Sequence, residues 1–263
     1  MLLTTVMGIT FPAMNPVAFQ VGPVAIHWYG LAYMAGFLVG GQLASWMVQR
    51  MRLSIDVNAA LTAIMLGIIV GGRLGYVLFY DLGHYSTHLM DIIAVWKGGM
   101  SFHGGAVGAF LGMIWAMKQQ RISIHDGLDV LALAATPGIF FGRIANFVNG
   151  ELFGRVSAVP WAMVFPDGGS LPRHPSQLYE AVGEGVILGI ILLIVLRYAY
   201  KPGRLFTTFV CGYAFIRFVL EFTRQPDTQM GFLMASLTMG QWLSIAMMVA
   251  GIVWTYGRIK HVF

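Results

Sequence analysis

The run Phe141-Gly142-Arg143-Ile144-Ala145-Asn146-Phe147-Val148-Asn149-Gly150-Glu151-Leu152-Phe153-Gly154-Arg155 decides how the chain is read. It sets charged and amide side chains directly after the apolar run Leu131 to Phe141. If the helix continues through it, Arg143, Asn146 and Gly150 fall at i, i+3 and i+7 on one stripe. An unpaired charge at mid-bilayer costs roughly 2.5 to 3.5 kcal/mol, so an ionisable group inside a span is a functional candidate. The alternative is an Arg143 that snorkels to lipid head groups.

Composition supports the membrane setting. Of 263 residues, 57% are hydrophobic and only 10% charged, with 33 glycines, far from a soluble average. The length suits about seven spans of roughly 20 residues each. The expected architecture is an all-α integral membrane protein: a bundle of seven transmembrane helices with peripheral amphipathic arms. Residues 1–263 form one polytopic domain, with an external cap at about 148–176 and a surface arm at about 81–99. The net charge of +5 is scattered between apolar runs, which argues against nucleic acid as a partner. Cys211 is the single cysteine, so no internal disulfide or cysteine-rich metal site forms, and it reads as a small core hydrophobe.

Residues 1–23 carry no Lys or Arg and are interrupted by Pro12, Pro16 and Pro23, unlike a cleaved signal peptide, so the N terminus is expected to be retained. Spans are expected at about Val24–Val48, Ala59–Tyr80, Met100–Met117, Gly127–Phe147, Leu178–Leu196, Leu205–Phe222 and Met239–Tyr256. With the N terminus outside, Arg50, Arg52, Lys118, Arg121, Arg197, Lys201, Arg204, Arg258 and Lys260 face the cytoplasm, the positive-inside arrangement.

Polar groups from several spans then gather at the outer ends: His103, Arg143, Asn146, Glu151, Arg217 and Glu221. His103 stands where a helix N-terminus disfavours the imidazolium form, leaving a neutral imidazole able to act as a base or simply to join two helices by a hydrogen bond. Arg217 and Glu221 are four apart and share a helix face. They form either a self-neutralising pair or, with Arg143, a fork-shaped receptor for a phosphate. Glu180, near the start of span five, reads as a carboxylate balancing an arginine or as part of the chemistry. Arg73, in Gly72-Arg73-Leu74-Gly75-Tyr76, echoes Gly142-Arg143-Ile144-Ala145-Asn146 and is as readily a packed structural charge as a functional one. Asp81, His84, His88 and Asp91 would form one helical stripe, but that is also the pattern of an amphipathic surface helix, and no metal is expected.

These motifs together resemble the bacterial prolipoprotein diacylglyceryl transferases over nearly the whole length. The likeness rests on His27-Trp28-Tyr29-Gly30, Gly72-Arg73-Leu74-Gly75-Tyr76-Val77, Gly98-Gly99-Met100-Ser101-Phe102-His103-Gly104-Gly105 and the run quoted first. Two further motifs carry it: Arg173-His174-Pro175-Ser176-Gln177-Leu178-Tyr179-Glu180 and Arg217-Phe218-Val219-Leu220-Glu221-Phe222-Thr223-Arg224-Gln225-Pro226-Asp227. The resemblance implies a seven-span inner-membrane enzyme, N terminus periplasmic and C terminus cytoplasmic. It would move the diacylglyceryl group of phosphatidylglycerol to the lipobox cysteine of a prolipoprotein, forming a thioether and releasing glycerol 1-phosphate. It would need no cofactor and work as a monomer in the bilayer. By that likeness Arg143 and Arg217 hold the lipid phosphate, with Glu180 and Arg73 also on the substrate, while His103, Tyr29, Asn146, Glu151, Gly154 and Glu221 complete the site. The segment Phe165 to Pro172 is shorter than in some members, which implies a smaller cap. A transporter or flippase of an anionic lipid would also want intramembrane arginines, but would need no His103.

Overall fold

The computed structural model of the chain describes residues 8–12, 14–22, 24–226 and 233–260. Expectations that fall on residues 1–7, Pro23 or Asp227, or on the side chains of His103, Arg258 and Lys260, lie outside the described residues. The chain is mostly helical: α1 (Trp28–Met51), α2 (Val57–Phe79), α3 (Leu82–Thr87), α4 (Phe102–Gln119), α5 (Ile124–Val148), α6 (Ser176–Glu180), α7 (Leu188–Tyr198), α8 (Arg204–Leu220) and α9 (Met239–Lys260). A π-helical turn, Ala181–Ile187, joins α6 to α7.

Among the described residues, four helices are long and apolar enough to cross a membrane: Trp28–Met51, Val57–Phe79, Ile124–Val148 and Ser176–Tyr198. A shorter apolar helix covers Met239–Thr255. At 18 and 17 residues, α4 and α8 are about 27 and 25 Å long, short of a hydrocarbon core of about 30 Å. Length and composition therefore mark a membrane protein, with four qualifying helices among the described residues beside the seven spans expected.

The all-α expectation needs one correction. Among the described residues are two small sheets: β1 (Ile9–Thr10) parallel to β4 (Met163–Val164), and β2 (Val17–Val21) antiparallel to β3 (Val24–His27). The hairpin takes Val24–His27, where the first span was expected to begin. Gly22, at φ +57°, makes the turn, and the Trp28 N–H goes to the Pro16 carbonyl at 3.0 Å, so the helix opens only at Trp28.

Contacts divide the chain into two compact units, Met1–Leu43 with Leu128–Phe263, and Ala44–Gly127. In the second, α2 lies against α4 backbone to backbone. A Cβ on Gly67 would sit 2.1 Å from the Gly108 carbonyl, and one on Gly71 2.4 Å from that of Gly104. Glycines spaced by four share one helix face, which lets two apolar helices approach where lipid gives no hydrophobic drive to pair them. Side chains close the helix starts: Asp56 accepts from the Ala59 N–H at 3.0 Å and Ser101 from the Gly104 N–H at 3.2 Å. The stripe expected over 81–91 is not one helix. Helix α3 ends at Thr87 and tighter turns follow at Leu89–Ile93 and Val95–Lys97. His84 Nε2 lies 3.1 Å from Asp91 Oδ2. Among the described residues no group of three or more His, Cys, Asp or Glu could hold a metal ion.

In the first unit, α5 runs straight through Pro137. Proline supplies no N–H to the Leu133 carbonyl one turn back, and the Thr136 hydroxyl donates there instead at 3.0 Å. The fully buried Asp129 of α5 accepts from the Gly203 and Phe206 N–H groups at 2.6 and 2.8 Å, capping α8 from a neighbouring helix. Thr238 and Gln241 form a capping box on α9, each side chain serving the other's N–H at 3.3 and 3.0 Å. Leu133, Leu188, Leu192, Leu205 and Ala214 make the apolar core of this unit.

Candidate active site

Three arginines and three glutamates converge within the first unit. Glu180 is the pivot: its Oε1 meets Arg217 Nη1 at 2.8 Å and Arg224 Nη1 at 3.2 Å, and its Oε2 meets Arg143 Nη1 at 2.9 Å. Glu184 Oε2 meets Arg143 Nη2 at 3.1 Å and its Oε1 lies 3.7 Å from Arg217 Nη1, while Arg217 Nη2 reaches Glu221 Oε2 at 2.7 Å. Arg143 comes from the last turns of α5, the carboxylates Glu180 and Glu184 from the start of the next helix, and Arg217 from the end of α8.

The cluster is layered. The Arg143, Arg217 and Arg224 side chains are 19%, 15% and 12% exposed, whereas those of Glu180 and Glu184 are at 0%. The carboxylates are wholly buried and offset the cost of the largely buried cations, and what exposure the cluster keeps is on the arginine side chains. Three of the buried oxygens, Glu180 Oε2, Glu184 Oε1 and Glu221 Oε2, are in ion-pair contact without an aligned hydrogen bond. Each guanidinium has five N–H donors, so both Arg143 and Arg217 retain donors beyond these contacts.

Glu184 was missed in the sequence. It stands in Gly183-Glu184-Gly185 within the π turn, a backbone variant often found at functional sites. A Cβ on Gly185 would lie 2.7 Å from Phe140 Cβ and one on Gly183 2.8 Å from Ile216 Cγ2, so the glycines let this helix press against both α5 and α8. A carboxylate bracketed by glycines inside the run Leu178 to Leu196 was the available signal. Arg224 was quoted without a role and proves to share the pivot. Thr238 was also missed: its hydroxyl donates to Glu221 Oε1 at 2.9 Å, tying the α9 cap to the cluster.

The loop after α5 gathers other expected residues. Asn146 Nδ2 donates to Glu151 Oε1 at 2.8 Å, and Gln177 Nε2 donates to the Glu151 carbonyl at 2.6 Å. Glu151 is exposed. Tyr29 in α1 makes a 3.4 Å contact with the Tyr33 hydroxyl. Gly154 offers no side-chain chemistry; a Cβ there would lie 2.4 Å from the Thr223 carbonyl and 2.6 Å from His174 Cβ. Its N–H donates to the His174 carbonyl at 2.8 Å, and the next N–H, of Arg155, to that of Thr223 at 2.8 Å, so this crossing ties the cap to the end of α8. His174, outside the helices, has its pKa lowered by burial, which favours the neutral ring.

Arg73 and His103 belong to the second unit. Arg73 is buried and donates to main-chain carbonyls: Nε to Ile92, Nη1 to Gly98 and Gly99, Nη2 to Asp91 and Ala94. His103 is in the first turn of α4.

The sequence pattern described as prolipoprotein diacylglyceryl transferase matches residues 16–256. The chain is 48% identical over 254 residues to a phosphatidylglycerol–prolipoprotein diacylglyceryl transferase of Rhodospirillum rubrum, covering 94% of this chain and 93% of that one. It is 48% identical to the protein of that name from Sinorhizobium medicae over 263 residues, 95% of this chain and 94% of the relative. For the Geobacter sulfurreducens protein of the same name the identity is 44% over 245 residues, covering 92% and 94%.

Proposed function

Since the chain belongs to the prolipoprotein diacylglyceryl transferase family, we propose that it transfers the diacylglyceryl group of phosphatidylglycerol to a prolipoprotein cysteine. The thiolate sulfur forms a bond to the glyceryl carbon next to the phosphate. The carbon–oxygen bond breaks, its electron pair stays on the phosphate oxygen, and glycerol 1-phosphate leaves. The product is a thioether. Two demands follow: a thiol must lose its proton, and negative charge growing on the phosphate must be held.

The layered cluster supports the second demand. The Arg143 and Arg217 side chains stay partly exposed beside wholly buried Glu180 and Glu184, so an arriving phosphodiester would find guanidinium donors that the glutamates hold in place. In this reading Glu180 and Glu221 orient the arginines rather than touch the lipid. Asn146 and Glu151 act together, being hydrogen-bonded to each other, with Tyr29 joining from its own motif and Gly154 serving by its missing side chain. His103, in the first turn of α4, takes the thiol proton.

The finer topology belongs to the same reading. Helices α1, α2, α4 and α5, the run Ser176–Tyr198, α8 and α9 are the seven spans, with α4 and α8 completed by local thinning or flanking residues. Cationic ends such as Arg50, Arg52, Lys118 and Arg121 support an N terminus in the periplasm and a C terminus in the cytoplasm of a bacterial inner membrane. The last turns of α5, the first of α6 and the last of α8 then share the periplasmic side, where prolipoproteins are presented.

The test is transfer by purified protein from phosphatidylglycerol to a lipobox peptide, read by mass spectrometry. A diacylglyceryl adduct on the cysteine, lost in Arg143→Ala, is expected. No adduct from well-folded protein that binds phosphatidylglycerol would favour lipid transport instead, and full turnover by His103→Gln would remove the base assignment.

A further inference from the structure

Arg73 in the second unit has every guanidinium N–H engaged. Its guanidinium has five N–H groups and meets five carbonyl oxygens, those of Asp91, Ile92, Ala94, Gly98 and Gly99. Among the described residues no carboxylate is in ion-pair contact with it, and it is 4% exposed. The ring of Tyr85 lies 5.0 Å from its centre, closing one face. Such a group has no N–H left for a phosphate.

The five carbonyls belong to one strap, residues 91–99, which leads directly into α4. Carbonyls of an irregular segment need donors as much as those of a helix do, and here one side chain supplies five of them. Gly98 and Gly99, at φ +84° and +76°, turn their carbonyls toward Arg73, and a Cβ on Gly99 would come within 2.9 Å of its Nη1. Two residues later the Ser101 N–H donates to the Gly72 carbonyl at 2.8 Å, and the Ser101 hydroxyl caps α4. The start of α4, with His103 in its first turn, is thereby registered to the turn of α2 that carries Gly72 and Arg73.

We propose that Arg73 is a positioning residue for His103: it clasps the strap 91–99 by its carbonyls, fixes where α4 begins and so sets the placement of the base, without touching the lipid phosphate. This rests on the transferase reading and on His103 as base. Lysine cannot replace it, because a point charge on a flexible stem cannot reach both carbonyl groups of the strap, Asp91 to Ala94 and Gly98 to Gly99.

The experiment compares wild type with Arg73→Met, Arg73→Lys and Gly99→Ala in detergent, using phosphatidylglycerol and a lipobox peptide. Thermal unfolding reports the folded fraction, and diethyl pyrocarbonate labelling of His103, with His125 as internal reference, reports its placement without any need for turnover. In Arg73→Met, kcat per folded protein falls about 10²-fold, KM for phosphatidylglycerol stays within about threefold, and the His103 labelling rate changes relative to His125. Arg73→Lys loses about tenfold. Gly99→Ala, which crowds the clasp from its other side, reproduces the kcat loss if Arg73→Met does not fold. A raised KM with unchanged kcat would make Arg73 a phosphate ligand and overturn the proposal. So would activity lost only in proportion to folded protein, with His103 labelling and the pH profile unchanged. Wild type that forms no adduct would defeat the transferase reading, whereas the His103 labelling ratio still decides the clasp.

Discussion

Two Gly-Arg steps, Gly72-Arg73 on α2 and Gly142-Arg143 on α5, look alike in the sequence and do opposite things with the same side chain. Arg143 pairs with two carboxylates that are wholly buried, while its own side chain stays partly exposed. Arg73 gives every donor to neutral carbonyls. Charge partners make a cation part of an electrostatic site that a second anion can enter; carbonyl partners make it a clasp. The acceptor set, more than the arginine, decides the role.

This difference can be broken by experiment. The largest effect is expected for Arg143→Met, which leaves Glu180 and Glu184 with one cation fewer; losing one partner of a buried ion pair costs about 3–5 kcal/mol, measured by unfolding in detergent. Arg73→Met leaves carbonyls without donors but strands no charge, so a loss of about 1–3 kcal/mol is expected in the same measurement. Equal losses at the two sites would erase the distinction.

Exchanging Glu184 for Gln sharpens the carboxylate side. Glutamine keeps the shape and removes the charge behind Arg143, so phosphate affinity, read as KM for phosphatidylglycerol, should change while the fold survives with a loss of about 1.5–3 kcal/mol. A wild-type KM would show that the carboxylate layer has no bearing on the ligand. Gly154→Ala, which would drive a methyl to within 2.4 Å of the Thr223 carbonyl, tests whether the cap must be tied to the end of α8; about 1–3 kcal/mol is expected from overpacking.

The smallest effect is at His174, outside both arginine sets. Its folded pKa lies below its ordinary value of 6.5 because burial disfavours the charged ring. The unfolded chain therefore binds the proton first as pH falls. Stability is independent of this group well above pH 6.5 and declines as pH drops through 6.5 toward the folded value, a slope that His174→Gln should remove. An unchanged slope would assign the acid sensitivity elsewhere.

The helices were largely legible because their signals are local. Apolar runs, Asp56 and Ser101 at helix starts and the Thr238-Gln241 box lie within a few residues of what they control. The strand Met163–Val164 was not legible, since it exists only through Ile9–Thr10 far away in the chain, and Val24–His27 was missed because its apolar run leads straight into α1, although its partner Val17–Val21 lies just across the Gly22 turn. Arg143, Arg217 and Glu221 stood out as charges in apolar surroundings. Glu184 carried the same signal and was overlooked, and its pairing with Arg143 depends on the π turn and on contacts of Gly183 and Gly185 with other helices.

By itself, the sequence determined a helical membrane protein, its family and the arginines most exposed to functional reading, because composition, caps and motifs are properties of neighbouring residues. Only the tertiary structure decided that Glu180 is shared by three arginines, that Gly154 acts by absence of a side chain and that Arg73 holds a strap. Hydrogen bonds and ion pairs fall off within a few ångströms, so which acceptor a guanidinium finds is set by which segments the fold brings together.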